Sequence, residues 1–232
     1  MNDIVNAMEE MKIVNMLDLS KTVAAKLFEG KTYPWEVLPE IKEFIIRFGK
    51  TLPESEFEKK GENIWVHKSA VIMDATVYLG GPLIVMADAQ IRHGAFIRGS
   101  AIVGEGAVVG NSTELKNVIL FDKVQVPHYN YVGDSVLGFR SHMGAGSITS
   151  NVKSDKKPVI IHVNDGGKND VETGFKKMGA VLGDNVEVGC GSVLNPGTVI
   201  GRNTNIYPLS SVRGFVPAAS IYKHEGEIAL KK

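Results

Sequence analysis

An aliphatic residue returns every six positions over most of this chain, and that spacing constrains the fold more than any other feature. The two runs comprise Met73, Leu79, Val85, Ile91, Ile97, Val103, Val109 and Leu115, and then Leu182, Val188, Leu194, Ile200, Ile206 and Val212. A six-residue period matches neither an α-helix nor a hairpin sheet, but it is typical of a solenoid whose hexapeptides each supply one short strand and one corner. We therefore predict a mainly β fold, a parallel β-helix with three sides per turn.

Glycine and small residues support this interpretation. Residues 1–60 contain two of the 25 glycines, and almost all of the others follow Gly61. Glycine allows the positive φ that a turning chain requires. The composition thus divides the chain into a helical N-terminal segment with a linker (1–62), a solenoid of roughly seven coils (63–217) and a C-terminal tail (218–232).

The N-terminal segment has the pattern of short helices. Ser20 can cap a helix that extends through Phe28. Pro39 can open a second helix, because the first helical position needs no amide hydrogen. An apolar stripe follows at Ile41, Phe44, Ile45 and Phe48. Residues 52–62 are charged and lack periodicity, which predicts a linker, and we expect the helices to cap the solenoid or to contact a partner.

Composition excludes several functional classes. The chain has 26 basic and 26 acidic side chains, and a nucleic-acid binder normally shows a basic excess. No apolar run approaches the roughly 20 residues of a membrane span, and the acidic N-terminus is unlike a signal peptide. Cys190 is the single cysteine, which excludes an internal disulfide and fits a reducing compartment. We expect a cytoplasmic protein without nucleic-acid or membrane partners.

Two cations interrupt the repeat. Arg98 and Lys116 both follow an inward aliphatic residue, and their spacing of eighteen places them on the same side of successive coils. Adjacent strands lie about 4.8 Å apart, so the two charges repel unless an anion such as a phosphate joins them. Alternatively, the side chains extend into solvent or pair with Glu105 and Glu114.

Two longer stretches also break the pattern. The six-residue register slips within 127–151, where His128, Tyr131 and His142 replace the usual small and aliphatic residues. A lone histidine is more often structural than catalytic. Because His128 follows a proline, at the register slip and beside the cation pair, a catalytic role and a structural role both stay open for it. Residues 153–178 are polar and too numerous for a corner, so they predict a protruding loop that could reach a neighbouring chain in an oligomer.

The segment Glu114–Asn151 reads ELKNVILFDKVQVPHYNYVGDSVLGFRSHMGAGSITSN. It resembles, without gaps, the C-terminal acetyltransferase domain of the bacterial bifunctional N-acetylglucosamine-1-phosphate uridyltransferase / glucosamine-1-phosphate acetyltransferase, a hexapeptide-repeat acyltransferase. The likeness extends more loosely over 97–217 and leaves 1–63 outside. It implies a left-handed β-helix, a homotrimer, and acetyl-CoA-dependent N-acetylation of a hexosamine 1-phosphate without a metal. Residues 1–60 contain nothing like the glycine-rich loop of the family's nucleotidyltransferase domain.

The resemblance also implies roles for individual residues. His128 falls on the catalytic base, Glu114 on the carboxylate that orients it, and amides near Gly144–Gly146 would stabilise the oxyanion. The remaining positions are the sugar-phosphate contacts Arg98, Lys116, Tyr131, His142 and Lys157, and the acetyl-CoA contacts Ala145, Asn151, Cys190 and Pro208.

The sequence departs from the family's pattern at several of these positions. His142 stands where the family has asparagine, Cys190 replaces a serine, and Tyr207-Pro208 replaces two alanines. The sugar-phosphate side is therefore better preserved than the coenzyme side.

Two other functions stay open at this point. One is a non-catalytic subunit of a sugar nucleotidyltransferase system that binds a sugar phosphate or acts as a scaffold. The other is a zinc enzyme of the γ-carbonic-anhydrase type, which needs three histidines across a subunit interface. The available residues are His67, His93, His128, His142 and His162, although that family's close histidine pair is missing.

Overall fold

Short parallel strands stack coil upon coil into a β-solenoid of about eight turns. The structure is a computed structural model that describes residues 7–73, 76–163, 170–223 and 226–231. The mainly β solenoid predicted from the six-residue repeat is confirmed. It has one turn more than expected, because the strand Ser220–Tyr222 in the predicted tail continues the parallel ladder from Asn205–Ile206.

Each coil contributes one strand to each of three faces. Face 1 is formed by Ile64–His67, Leu83–Val85, Ala101–Val103, the second halves of Glu114–Leu120 and Tyr131–Leu137, Ala180–Leu182, Thr198–Ile200 and Phe215–Val216. Face 2 is formed by Val71–Ile72, Gln90–Ile91, Val108–Asn111, Gln125–His128, His142–Met143, Glu187–Val188, Asn205–Ile206 and Ser220–Tyr222. Face 3 is formed by Tyr78–Leu79, Phe96–Ile97, the first halves of Glu114–Leu120 and Tyr131–Leu137, Ile148–Thr149, Val193–Leu194 and Ser211–Val212.

The strand register is regular except where the sequence pattern slips. In regular coils the paired residues are eighteen apart, as in Ile84 with Ile102. Around the predicted catalytic histidine they are seventeen apart, as in His128 with Asn111. The slip in the sequence therefore belongs to two consecutive coils that are each one residue shorter, since Leu120 pairs with Val103 on one side and with Leu137 on the other.

Face 1 is buried on both sides. Side chains alternate along a strand, so the middle residue of each three-residue strand points away from the solenoid interior. These outward residues are Ile84, Ile102, Ile119, Val136, Val181 and Val199, and each of them is fully buried. The N-terminal segment covers them, and its last helix packs on the face 1 strands Leu83–Val85 and Ala101–Val103.

That N-terminal segment consists of short helices. They are the α-helices Ile13–Met16 and Ile41–Gly49 and the 3-10 helices Leu19–Lys21, Ala25–Phe28 and Pro34–Glu40. The second predicted helix is present, but it begins at Ile41, because Pro39 lies inside the preceding 3-10 helix and does not open the α-helix. A Cβ on Gly49 would lie 2.3 Å from a ring carbon of Trp65, so that helix end requires glycine. The prediction of one helix from Ser20 to Phe28 was wrong. This segment forms two 3-10 turns, and the capping residue is Asp18, whose side chain accepts a hydrogen bond from Ser20 N.

Antiparallel strands close both ends of the solenoid. Phe57–Gly61 pairs with Ile64–His67, although 52–62 was predicted to be a linker. Ile228–Leu230 pairs with Ser220–Tyr222 in the predicted tail. A six-residue period does not reveal such strands because they are not part of a coil, and each covers an edge that would otherwise expose unpaired backbone groups.

The insertion at 153–178, which was predicted to be a protruding loop, contains a short hairpin and contacts the solenoid in the part that the structure describes. Ile160–Ile161 pairs with Val171–Glu172, and Ile161 is fully buried. The carbonyl of His162 accepts a hydrogen bond from Phe215 N at 2.8 Å. Residues 164–169 lie outside the described residues. No helix among the described residues has the length and apolar character that a bilayer crossing demands.

The double burial of face 1 makes its outward residues critical for stability. We expect Ile102→Ala to lower the free energy of unfolding by about 2–5 kcal/mol, because it leaves a cavity under the N-terminal segment. Val14→Ala is the control, since Val14 is 76% exposed and should cost less than about 0.5 kcal/mol. Denaturant unfolding measures both changes, and equal effects of the two substitutions would contradict the packing described.

Candidate functional site

Parallel pairing on face 3 brings the two predicted cations together. Leu115 pairs with Ile97, so Lys116 and Arg98 are neighbours on adjacent coils. Both lie where face 3 meets the corner that leads to face 1, which we call the 3–1 corner. The spacing argument therefore placed these two residues correctly.

Each cation is neutralised by a carboxylate of the chain itself. Arg98 Nη1 donates to Glu114 Oε1 at 2.9 Å, and Lys116 Nζ donates to the two carboxylate oxygens of Asp134 at 2.8 and 3.0 Å. The Arg98 and Glu114 side chains are 49% and 33% exposed, so solvent weakens that pair. The Asp134 side chain is 5% exposed, which makes the second pair the more permanent one. Pairing with Glu114 was the alternative expected for Arg98.

Asp134 is the centre of the polar network in this corner, and the sequence analysis missed it. Its carboxylate also accepts hydrogen bonds from Asn117 Nδ2 at 2.9 Å and from Asn151 Nδ2 at 2.5 Å. The spacing that identified the cations could not have found it, because this coil is one residue shorter: Lys116 pairs with Gly133, and Asp134 is the next residue along the chain. Because its acceptors hold both the lysine and the asparagine, Asp134 links a predicted sugar-phosphate residue to a predicted coenzyme residue.

Tyr131 belongs to the same network. It pairs with Glu114 on the adjacent strand, and its hydroxyl accepts a hydrogen bond from Asn151 Nδ2 at 3.2 Å. Burial raises the pKa of the Tyr131 phenol, and the negative charges of Asp134 and Glu114 raise it further. The phenol therefore stays protonated and can donate a hydrogen bond to an anionic ligand.

His128 lies at the other edge of face 3, in the corner that joins it to face 2 (the 2–3 corner). Successive coils place His93, Asn111, His128, Ala145, Cys190 and Pro208 at equivalent positions in this corner. The backbone bonds that align them are Tyr129 N to Asn111 O at 2.8 Å, Gly146 N to His128 O at 3.0 Å, Gly191 N to Ala145 O at 2.9 Å and Leu209 N to Cys190 O at 2.9 Å. The predicted base and three predicted coenzyme residues thus form one exposed line.

A buried asparagine fixes the conformation of this corner. Asn130 Oδ1 accepts a hydrogen bond from His128 N at 3.1 Å, and Asn130 Nδ2 donates to Gly144 O at 2.9 Å and Ser147 O at 3.0 Å. Asn130 is 2% exposed. It therefore joins the His128 backbone to the next coil. Nothing in the sequence distinguishes Asn130, because it is an ordinary polar residue two positions after the motif histidine.

The backbone amides of the glycine-rich corner are mostly engaged. Gly144 N donates to Val188 O and Gly146 N to His128 O. The Ala145 N–H makes no hydrogen bond within the described part of the chain. Of the three amides predicted to hold an oxyanion, Ala145 N–H is thus the one that remains for a ligand.

Glu114 lies with Arg98 and apart from His128, and His142 and Lys157 lie apart from both corners. No hydrogen bond joins Glu114 to His128 among the described residues, because the Glu114 carboxylate binds Arg98. His142 lies on face 2, where its Nδ1 is 2.8 Å from Glu187 Oε2. Lys157 is exposed on the insertion. One chain therefore does not bring His142 together with Arg98 and Lys116.

Among the described residues, no group of three or more histidine, cysteine, aspartate or glutamate side chains is arranged so that it could hold a metal ion. The histidines considered for zinc lie on different coils and faces of this chain.

Comparisons with known proteins identify the family. The family model of the GMPPB C-terminal domain matches residues 79–204, which is more than half of the chain and includes both edges of face 3. The bifunctional protein GlmU of Methanococcus maripaludis strain C5 is 36% identical over 139 residues, which cover 60% of this chain and 33% of that protein. The chain thus spans about a third of the length of the curated GlmU proteins that it matches.

Two further relatives have names that include acetyl transfer. The bifunctional sugar-1-phosphate nucleotidylyltransferase/acetyltransferase of Sulfurisphaera tokodaii is 30% identical and covers 65% of this chain and 41% of its own length. The putative uncharacterized acetyltransferase YaiX of Escherichia coli K12 is 29% identical, with 69% of this chain and 75% of that protein covered. These matches confirm the resemblance that Glu114–Asn151 suggested, and the chain belongs to the family of the GMPPB C-terminal domain, among relatives of the GlmU type.

Proposed function

We propose that this protein is an acetyl-CoA-dependent N-acetyltransferase that acts on a hexosamine 1-phosphate. The observation that carries the proposal is the arrangement of the two edges of face 3. Arg98, Lys116 and Tyr131 surround one edge, and His128 lies in the exposed line at the other. On one coil the two edges are five residues apart, as from His93 to Arg98, so at about 3.3 Å per residue they are at most roughly 16 Å apart. The long side chains of Arg98 and Lys116 shorten that span toward the length of a hexose that carries a phosphate at one end and an amine near the other.

The chemistry assigned to His128 is proton transfer. The amine must be neutral to attack the thioester carbonyl, and an imidazole can accept its proton near neutral pH. The C–N bond forms, the tetrahedral intermediate collapses, and the C–S bond breaks as the thiolate of coenzyme A takes up the proton. The Ala145 N–H is the donor that we assign to the oxyanion.

The ion pairs at the 3–1 corner explain how a phosphate would enter. The Arg98–Glu114 pair is half exposed, so a phosphate can replace the Glu114 carboxylate on the guanidinium at little cost. Displaced Glu114 is then free to turn toward the amine or toward His128, the role that the resemblance gives it. The buried carboxylate of Asp134 stays on Lys116 and keeps its ammonium oriented.

We further propose that the protein is a homotrimer. Face 1 is covered by the N-terminal segment, so faces 2 and 3 are available for contacts between copies. His142 on face 2 would reach a ligand on face 3 only if a second copy supplies it. Sedimentation equilibrium tests this: three times the monomer mass supports the assembly, and a monomer at micromolar concentration contradicts it.

The decisive assay measures thiol release from acetyl-CoA in the presence of amino-sugar 1-phosphates. Release that depends on the amino sugar and yields the N-acetyl product supports the transferase. Thermal shifts separate it from a non-catalytic sugar-phosphate binder, which the altered coenzyme-side residues Cys190 and Pro208 favour. Stabilisation by both acetyl-CoA and glucosamine 1-phosphate indicates a transferase, whereas stabilisation by the sugar phosphate alone indicates the binder.

His128 should be essential for turnover but not for folding, since its side chain is exposed. We expect His128→Ala to reduce kcat by roughly 10²–10⁴-fold and to leave the thermal transition unchanged. His93→Ala is the matched control, because His93 occupies the same corner two coils earlier and is also exposed; it should retain full activity. Wild-type turnover by the purified His128→Ala protein would refute the assigned base.

Asp134 should influence binding of the sugar phosphate indirectly, through Lys116 and Tyr131. We expect Asp134→Asn to raise KM for the sugar phosphate by roughly tenfold, about 1.4 kcal/mol of binding, because Lys116 loses its fixed partner. The pKa of Tyr131 should fall, since a negative charge that disfavours the phenolate is removed. Steady-state kinetics and NMR titration of labelled tyrosine measure the two effects.

The control for that experiment is Asp155→Asn, which removes the exposed carboxylate paired with Lys153. It should change neither quantity. An unchanged Tyr131 titration in folded Asp134→Asn protein would show that the network does not act as described, whether or not the protein transfers acetyl groups.

A further inference from the structure

The corner between faces 1 and 2 (the 1–2 corner) repeats a left-handed backbone conformation on successive coils. The residues with positive φ in this corner are Asp88, Gly106, Lys123, Arg140, Asn185, Asn203 and Ala219. Glycine, asparagine and aspartate adopt this conformation at least cost. Lys123 and Arg140, at φ of 57–61°, are long side chains in a corner whose other residues, except Ala219, are suited to this conformation, and such strain is often retained for function.

These two cations are neighbours. Lys123 N donates to Glu105 O at 2.7 Å, and Arg140 N donates to Asp122 O at 3.1 Å. The two bonds are equivalent links on consecutive coils, so Lys123 and Arg140 lie one strand spacing apart, about 4.8 Å.

Neither cation is neutralised by an ion pair within the described part of the chain, in contrast to Arg98 and Lys116. Arg140 lies over the Phe139 ring with 5.9 Å between the guanidinium carbon and the ring centroid. Asp122 and Glu105 also lie on this corner, and Asp122 Oδ1 accepts a hydrogen bond from the Glu105 N–H at 2.9 Å. The stacked pair therefore carries two positive charges that the protein itself does not fully offset.

The cations open into a groove on face 2 with a volume of about 490 Å³. Its lining consists of Gly106, Lys123, Gln125, Arg140, His142 and Glu187. The single carboxylate among these residues, that of Glu187, is held by His142 at 2.8 Å. Pockets of roughly 300–1,000 Å³ hold small ligands, so the groove has room for more than a single phosphate.

We propose that this groove binds a diphosphate group, free or carried by a nucleotide, with one phosphoryl group on Lys123 and the other on Arg140. The spacing of the cations matches two linked phosphoryl groups better than one. The guanidinium offers a two-pronged donor and the ammonium a point charge. The two cations lie on a different face of the chain from Arg98, Lys116 and His128, although the groove shares His142 with the contact proposed between copies. Binding of a diphosphate goes beyond the transferase function proposed above.

The test begins with the Arg98→Ala/Lys116→Ala protein, from which the other phosphate site has been removed. Isothermal titration with pyrophosphate at low salt should show one site per chain. Adding Lys123→Asn and Arg140→Asn should weaken that binding by at least roughly tenfold, because both charges are lost. The same two substitutions should keep or raise the melting temperature, since asparagine already fills this corner at Asn185 and Asn203.

Lys156→Asn is the matched control. Lys156 is an exposed lysine on the insertion with φ of 59°, so the control removes the same charge from the same backbone conformation. It should leave pyrophosphate binding unchanged. The proposal is overturned if the starting protein binds no pyrophosphate, if binding survives the Lys123 and Arg140 substitutions, or if Lys156→Asn weakens it equally.

Two further titrations define the ligand. Inorganic phosphate should bind at least roughly tenfold more weakly than pyrophosphate, and equal affinity would refute a diphosphate site. ADP that binds more tightly than pyrophosphate points to a nucleotide, and weaker ADP binding points to free pyrophosphate. These measurements are independent of acetyl transfer, so a failed thiol-release assay would leave them intact.

Discussion

The inward stack of aliphatic side chains, one on every sixth residue, is the interaction on which the rest of this structure depends. The inward side chains of each coil pack against those of the coils above and below, because the interior of the solenoid is too narrow to contain anything else. Stacking fixes the register of the parallel strands, and the register determines which outward side chains become neighbours. Arg98 and Lys116 meet because Ile97 and Leu115 are stacked inside the solenoid. The functional site is thus a consequence of core packing.

The three faces have different roles because they differ in what covers them. Face 1 has apolar residues on both sides and supports the N-terminal segment, which makes it the structural wall. Faces 2 and 3 carry the outward charges and both candidate binding regions. The two cation pairs are built differently: Arg98 and Lys116 have carboxylate partners, whereas Lys123 and Arg140 form no ion pair with any residue that the structure describes. The first pair must exchange a partner to bind an anion, and the second can bind one directly.

Sequence reasoning succeeded where a residue's role is set by the repeat and failed where it is set by contacts outside it. The solenoid, the helix at Ile41–Gly49 and the adjacency of Arg98 and Lys116 followed from spacing. The terminal strands Phe57–Gly61 and Ile228–Leu230 did not, because they pair antiparallel to a coil and obey no period. The apolar triplets on face 1 did carry a signal: Leu83–Val85 and Ala101–Val103 are apolar throughout, which is typical of strands buried on both sides.

The sequence by itself determined the parallel solenoid and the family, since a narrow prism accepts aliphatic residues at only one spacing and the motif from Glu114 to Asn151 is long and specific. Tertiary structure decided how the charges are used. In the folded chain Glu114 forms an ion pair with Arg98, and Asp134 accepts hydrogen bonds from both Lys116 and Asn151. His142 lies on another face, beside Glu187. The physical reason is that two seventeen-residue coils and an insertion shift the register, and a side chain's partner depends on that shift rather than on its distance along the chain.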